Sequence, residues 1–304
     1  MDPLIPVIED DGMPVTYLIS IIISVILFLV IVGMTFLLFR NVHFHVPSEM
    51  VRSDLFFIIF MPMVVSACCL TGNILLRAAP LLYAVALTYL LITLHITISM
   101  IIRLFGNCNG LAKCKHFKDI AFNTKPYCCC CHCLPTMRAT PSRVRRLSYC
   151  VKQSPVVRIF LQILIMVMSV EEMQDDIVVS QVLNGVGVLS TLIAVYGSHI
   201  MVQNTVERLG PYNMFTIFKC VNISQMLFTL QKFVLDLIAK NGGMSGLQHV
   251  PADSISRFWH NFAMMVWLTI VTYVMINNIR PGKSKYFVEN PINEDDEVEM
   301  SYFE

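Results

Sequence analysis

The chain has 304 residues, of which 56% are hydrophobic and 14% charged. A soluble domain carries about 25% charged residues, so a chain this apolar cannot hide its hydrophobic side chains in a core surrounded by water. The formal net charge of +1 gives no sign of a nucleic-acid partner; the distribution of the charges is more informative.

In chain order, residues 1–14 form a short acidic segment with Asp2, Glu9, Asp10 and Asp11. A cleavable secretory leader begins with basic residues, so the apolar run that follows is expected to remain as a signal anchor. Seven apolar stretches succeed one another at about 16–39, 55–76, 80–102, 156–170, 177–202, 215–238 and 258–276. A helix needs about 20 mainly apolar residues to cross a bilayer, and six stretches meet that. The fourth is short and flanked by Pro155 and Arg158. It reaches full length by tilting or by borrowing Met173 and its neighbours; a re-entrant or interfacial helix is the alternative.

Orientation follows from Lys and Arg in the short connections. Eleven of the 22 basic residues lie between Arg103 and Arg158, against one acid, Asp119. Arg40 and Arg52 follow the first span, and Arg280, Lys283 and Lys285 follow the last. Between the fourth and fifth stretches stand Glu171, Glu172, Asp175 and Asp176. With seven spans, every basic segment falls on one side, the cytosol. The expectation is therefore an all-α membrane protein with seven transmembrane helices, its N-terminus outside and its C-terminus cytosolic. Residues 1–14 are a short extracellular segment. Residues 15–279 are the transmembrane domain, with a Cys-rich basic loop at about 103–155, and 280–304 are a cytosolic tail.

The loop contains "KPYCCCCHCLP", with Cys128, Cys129, Cys130, Cys131 and Cys133 around His132. Cytosolic thiols stay reduced, which disfavours disulfides. Zinc is open through pairs such as Cys128 and Cys131, with Cys108 and Cys114 as a distant second pair. Structural zinc sites, however, draw on separated pairs, and these cysteines are contiguous. S-acylation is the expected reading, because cysteines near a membrane and beside basic residues are palmitoylation candidates. Arg138, Arg143, Arg145 and Arg146 follow at once and suit anionic headgroups.

Polar side chains inside spans usually face a cavity or a partner. At about 100° per residue, Asn222, Gln225, Thr229, Lys232 and Asp236 fall within a sector of roughly 80° on the sixth span. Two readings stay open for this stripe. It lines a solute path with Lys232 as countercharge, or it packs between helices with Lys232 and Asp236 paired four residues apart. On the third span Thr88, His95 and Ser99 share a face. On the fifth, Asn184, Thr191 and Ser198 recur every seven residues beside Gly187 and Ala194, a small-residue stripe suited to close packing.

The Cys run, followed by Pro135, a basic segment and an apolar helix, resembles the alpha subunit of the organic solute transporter. "SACCLTGNILLRAAPLLYAVALTYLL" at 66–91 is similar to that family's second and third spans. "LGPYNMFTIFKCVNISQMLFTLQ" at 209–231 is similar to its sixth, through Leu209, Gly210, Asn213, Met214, Phe218, Gln225, Leu230 and Gln231. Asn241, Gly242 and Gly243 follow, and "GVLSTLIA" at 187–194 also agrees. The resemblance implies a plasma-membrane subunit that pairs with a single-span beta-type subunit. It also implies facilitated diffusion of amphipathic organic anions, such as steroid conjugates or bile acids. A homo-oligomer is an alternative assembly.

No Gly-rich phosphate loop of the GxxxxGK[ST] type, nucleophile elbow or HExxH pattern occurs in the chain, so neither ATP-driven transport nor an enzyme is expected, and no cofactor or metal is expected. A seven-span receptor fits the span count, but the third span ends in "IIRLFGN" and the seventh lacks an Asn-Pro-x-x-Tyr pattern. A non-transporting membrane-organising protein is the remaining alternative.

Overall fold

A computed structural model describes residues 15–76, 78–104, 119–121, 136–138, 140–170, 177–203, 210–241, 243 and 252–287. Seven long helices account for most of them: α1 (Val15–His45), α2 (Glu49–Ile74), α3 (Ala79–Leu104), α4 (Pro141–Val170), α5 (Ile177–Gln203), α6 (Met214–Lys240) and α7 (Ala252–Asn278). The shortest have 26 residues and the longest 31. At 1.5 Å per residue they run roughly 39 to 47 Å, more than the ~30 Å hydrocarbon core of a bilayer. Helices are what such apolar sequences must form there, because each backbone N–H and C=O needs a partner within its own segment.

The helices pack in chain order into a ring. Each touches its sequence neighbour from α1 to α5, α5 touches α6, α6 touches α7, and α7 returns to α1. Contacts of α2 with α7 and of α3 with α6 cross the middle. The core is apolar, built around Ile31, Leu55, Ile58, Leu90, Leu94, Phe218 and Leu268. The exterior is apolar as well. Phe36 is 65% exposed, Phe160 62% and Leu189 60%. On α1 the usual sidedness is reversed. Ser20, Ser24 and Thr35 are buried while Leu18, Ile22, Ile26 and Leu29 point outwards. The two serine hydroxyls donate back to the carbonyls of Thr16 and Ser20 at 2.8 Å. That arrangement suits a helix whose outer face meets lipid, since an exposed apolar surface of this extent is not tolerated in water.

Among the described residues, five segments are long and apolar enough to cross a membrane: α1, α2, α3, Val182–Val202 of α5 and Ser254–Asn278 of α7. Of the other two helices, α4 carries Arg143, Arg145, Arg146 and Lys152 in its first half and the apolar run 156–170 in its second, and α6 carries the polar stripe. The expected fourth stretch at 156–170 is the second half of a 30-residue helix that runs through Pro155. The all-α expectation also needs one amendment. Strands β1 (Asp119–Ala121) and β2 (Thr136–Arg138) pair antiparallel, with Asp119 opposite Arg138 and Ala121 opposite Thr136.

Two polar ties fix the register of the ring. Buried Asn261 on α7 donates through Nδ2 to Asn73 Oδ1 on α2 at 2.9 Å. Gly72 makes room for it, since a Cβ there would lie 3.3 Å from Asn261 Nδ2. At the end of α7 the chain folds back onto the entry to α6. Asn213, in a left-handed conformation at φ 52°, donates through Nδ2 to the carbonyls of Asn278 at 3.2 Å and Lys283 at 2.9 Å. Lys285 N–H donates to the Pro211 carbonyl at 3.1 Å, and Ser284 Oγ to the Tyr212 carbonyl at 3.1 Å. Asn tolerates positive φ better than other side chains do, and here its amide is also the bridge. Burial pushes the Tyr286 phenol in this segment above its ordinary range.

Candidate functional site

The polar stripe of α6 faces the bundle interior. Asn222, Gln225 and Thr229 are buried. The Asn222 Oδ1, both Gln225 amide atoms and the Thr229 hydroxyl have no hydrogen-bond partner among the described residues. An unsatisfied buried polar atom costs about 1–3 kcal/mol, so several on one face mark a place where a helix gives up stability. The neighbouring Ser224 is satisfied. Its hydroxyl donates to the Cys220 carbonyl at 2.7 Å and accepts from Trp267 Nε1 at 3.1 Å.

Further along the stripe, Lys232 Nζ donates to Asp236 Oδ2. The other carboxylate oxygen, Oδ1, accepts from Ser256 Oγ of α7 at 2.7 Å. The side chains of Lys232 and Asp236 are 13% and 23% exposed, so this is a mostly buried pair. Beside it is an aromatic cluster. Tyr83 of α3 stacks on Phe228 of α6 with centroids 4.9 Å apart and an interplanar angle of 13°. His260 of α7 meets Phe228 edge-on at 4.9 Å and Tyr83 at 6.0 Å. Lys232 Nζ lies 5.7 Å from the centroid of the Tyr83 ring, within cation–π range. The His260 ring is fully buried, and neither nitrogen has a hydrogen-bond partner among the described residues.

Arg158 joins this cluster from α4. It is 2% exposed and within electrostatic reach of Tyr83. Its guanidinium occupies the space left by Gly187 on α5, where a Cβ would come within 1.9 Å of Nη1 and 2.6 Å of Cζ. Nε and Nη1 have no hydrogen-bond partner among the described residues. Sequence reasoning missed Arg158, Tyr83 and His260. It placed Arg158 at the flank of a short span, and it read Gly187 as a packing surface for another helix. The available signal was a single Arg within "SPVVRIFLQILIM". Of the fifth-span stripe, Gly187, Thr191, Ala194 and Ser198 are buried and Asn184 is partly exposed.

The third-span residues lie elsewhere. Thr88, His95 and Ser99 are partly buried, and Ser99 Oγ is 3.5 Å from His95 Nε2. Ser99 lines a cavity of about 360 Å³ between α3 and α4, with Arg103, Arg145, Ser148, Tyr149 and Lys152. Arg103 Nη2 also donates to Asp54 Oδ2 of α2 at 2.5 Å. The structure thus gathers Phe228 and Lys232 of α6, Arg158 of α4 and His260 of α7 around Tyr83, and sets Ser99 on a separate basic cavity. Cys128, Cys129, Cys130, Cys131 and Cys133 lie outside the described residues.

A bundle with an apolar exterior, membrane-length helices and unmet polar groups on its inner faces fits a multi-pass membrane protein. The family described as organic solute transporter Ostalpha matches residues 20–277, and the chain belongs to that family. It is 31% identical to organic solute transporter alpha-like protein 1 of Caenorhabditis elegans over 256 residues, 82% of this chain and 66% of that protein. It is 25% identical to alpha-like protein 2 of the same organism over 91% of this chain and 82% of the relative. With alpha-like protein 3 it shares 30% identity over 63% of this chain and 56% of the relative. The chain thus spans just under two thirds of the first of these relatives. No solved structure matches it.

Proposed function

We propose that this chain is the seven-span subunit of a plasma-membrane transporter that carries amphipathic organic anions, such as steroid conjugates or bile acids, down their electrochemical gradient. The observation that carries this reading is the inward polar face of α6. Asn222, Gln225 and Thr229 are buried, and Lys232 and Asp236 are mostly buried, inside a bundle whose outer surface is apolar. A solute with a steroid-like body and one charged end would meet the Tyr83 and Phe228 rings with its apolar part. Its polar groups would meet the unmet amide and hydroxyl atoms. Thr88, His95 and Ser99 of α3 would line a further part of the route, Ser99 towards its cytosolic end.

In this reading α4 and α6 are spans too. Their charged and polar residues lower their apolarity without shortening them below the bilayer thickness. The N-terminus is then outside and the C-terminus cytosolic. The Cys128–Cys133 run is S-acylated on the inner leaflet, and a single-span beta-type subunit packs against the apolar exterior. The test is uptake of labelled steroid sulfate and bile acid into cells expressing the chain with and without a beta-type subunit, normalised to surface protein. Saturable uptake that runs in both directions supports the proposal. Uptake no greater than that of untransfected cells under both conditions, with the chain at the surface, refutes it.

A further inference from the structure

We infer that Arg158 receives the anionic group of the transported solute, a carboxylate or a sulfate ester, at the junction of α3, α4 and α5. The inference rests on the transport reading above. A guanidinium remains protonated at any physiological pH. A buried charge is stable only when paired and hydrogen-bonded. Arg158 is 2% exposed and its Nε and Nη1 have no hydrogen-bond partner among the described residues, and these nitrogens carry three N–H donors. No carboxylate among the described residues forms an ion pair with it. The other cations near polar groups of the bundle differ in this respect. Lys232 is paired with Asp236, and Arg103 with Asp54. The site therefore holds three buried N–H donors for a negative group that no described residue supplies.

Two further features give the site its selectivity. Gly187 provides the room that the guanidinium occupies beside α5; any larger side chain there would collide with Nη1 and Cζ. The stacked pair Tyr83 and Phe228, with His260 set edge-on to it, gives an apolar aromatic wall close to the charge. A charge beside an aromatic wall fits a rigid apolar body with one anionic end. Inorganic anions would gain from the charge alone, and neutral steroids from the wall alone.

The experiment measures equilibrium binding of a steroid sulfate and of the corresponding uncharged steroid alcohol to the purified full chain in detergent. Wild-type protein is expected to bind the sulfate at least about tenfold more tightly than the alcohol, as suits a charge-assisted hydrogen-bonded contact. Arg158→Gln should remove that preference and leave alcohol binding within about twofold. Arg158→Lys and Gly187→Ala keep the positive charge but move its donors, and each should lower sulfate affinity at least about threefold with alcohol binding unchanged. These two variants decide the matter if Arg158→Gln is not monodisperse. Equal binding of sulfate and alcohol by the wild type overturns the inference, as does a sulfate affinity that none of the variants alters. Parallel loss for both ligands in every variant also overturns it, because it marks a structural role. A wild type that shows the charge preference but no uptake leaves Arg158 as an anion site and removes the transport reading. Uptake that is indifferent to all three substitutions does the reverse.

Discussion

Lys232→Gln separates a structural pair from a path-lining charge. In the structure Asp236 has two donors, Lys232 Nζ and Ser256 Oγ, and the pair is mostly buried at 13% and 23% exposure. A fully exposed pair is worth about 0–1 kcal/mol, and removing one member of a fully buried pair costs about 3–5 kcal/mol. This pair lies between those limits, and Ser256 remains after the substitution. The expected loss of stability is therefore about 2 kcal/mol. The double variant Lys232→Gln with Asp236→Asn removes the stranded carboxylate and should recover most of the loss. The assay is thermal unfolding in detergent, followed by size-exclusion of tagged protein and combined with surface-normalised uptake. If the pair is structural, the single variant melts earlier, the double variant recovers, and flux per surface molecule is ordinary in both. A single variant that is as stable as wild type, yet loses uptake of the anionic solute more than of a neutral analogue, would refute the reasoning and assign the countercharge to Lys232.

Three further outcomes follow from the sequence and the fold. Acyl-biotin exchange should detect several lipids on the wild type and none on a variant with Cys128, Cys129, Cys130, Cys131 and Cys133 changed to Ser; equal signals would exclude acylation, and stoichiometric zinc in purified protein would favour the metal alternative. A tag after Met1 should be reachable on intact cells and one after Glu304 only after permeabilisation, whereas two tags reached from the same side would contradict seven spans. Asn213→Ala should cost about 2 kcal/mol, from two lost hydrogen bonds and a side chain less tolerant of positive φ. Limited proteolysis should then cut the segment after α7 sooner, and an unchanged cleavage rate would show that the amide bridge does not hold it.

The parts of the fold legible in the sequence were those with a strong local signal. Uninterrupted apolar runs announced α1, α2 and α3, and a 3.6-residue period placed Asn222, Gln225 and Thr229 on one face of α6, where the structure buries them. The i, i+4 spacing of Lys232 and Asp236 made their contact legible, but Ser256 could not be seen because it comes from another helix. Boundaries were less legible. The fourth stretch was read from its apolar run at 156–170, flanked by Pro155 and Arg158, yet α4 starts at Pro141 and carries Pro155 inside it. That error moved Arg158 from the interior of a helix to its edge. The role of Gly187 was illegible for a related reason. A small residue on a helix face signals close approach, but it does not say whether a backbone or a guanidinium approaches. The strands around 122–135 are three residues each, too short to impose a period.

The central claim is passive passage of an organic anion through this bundle, and reconstitution tests it most directly. Purified chain, with and without a single-span beta-type subunit, would be placed in liposomes containing no nucleotide, and labelled steroid sulfate would be added outside. The account predicts entry at a rate proportional to protein and a plateau at equal concentrations inside and outside. An imposed membrane potential should shift that plateau by about tenfold per 60 mV for a monovalent anion. Entry no faster than into protein-free liposomes under both conditions, with the protein monodisperse, would contradict the claim.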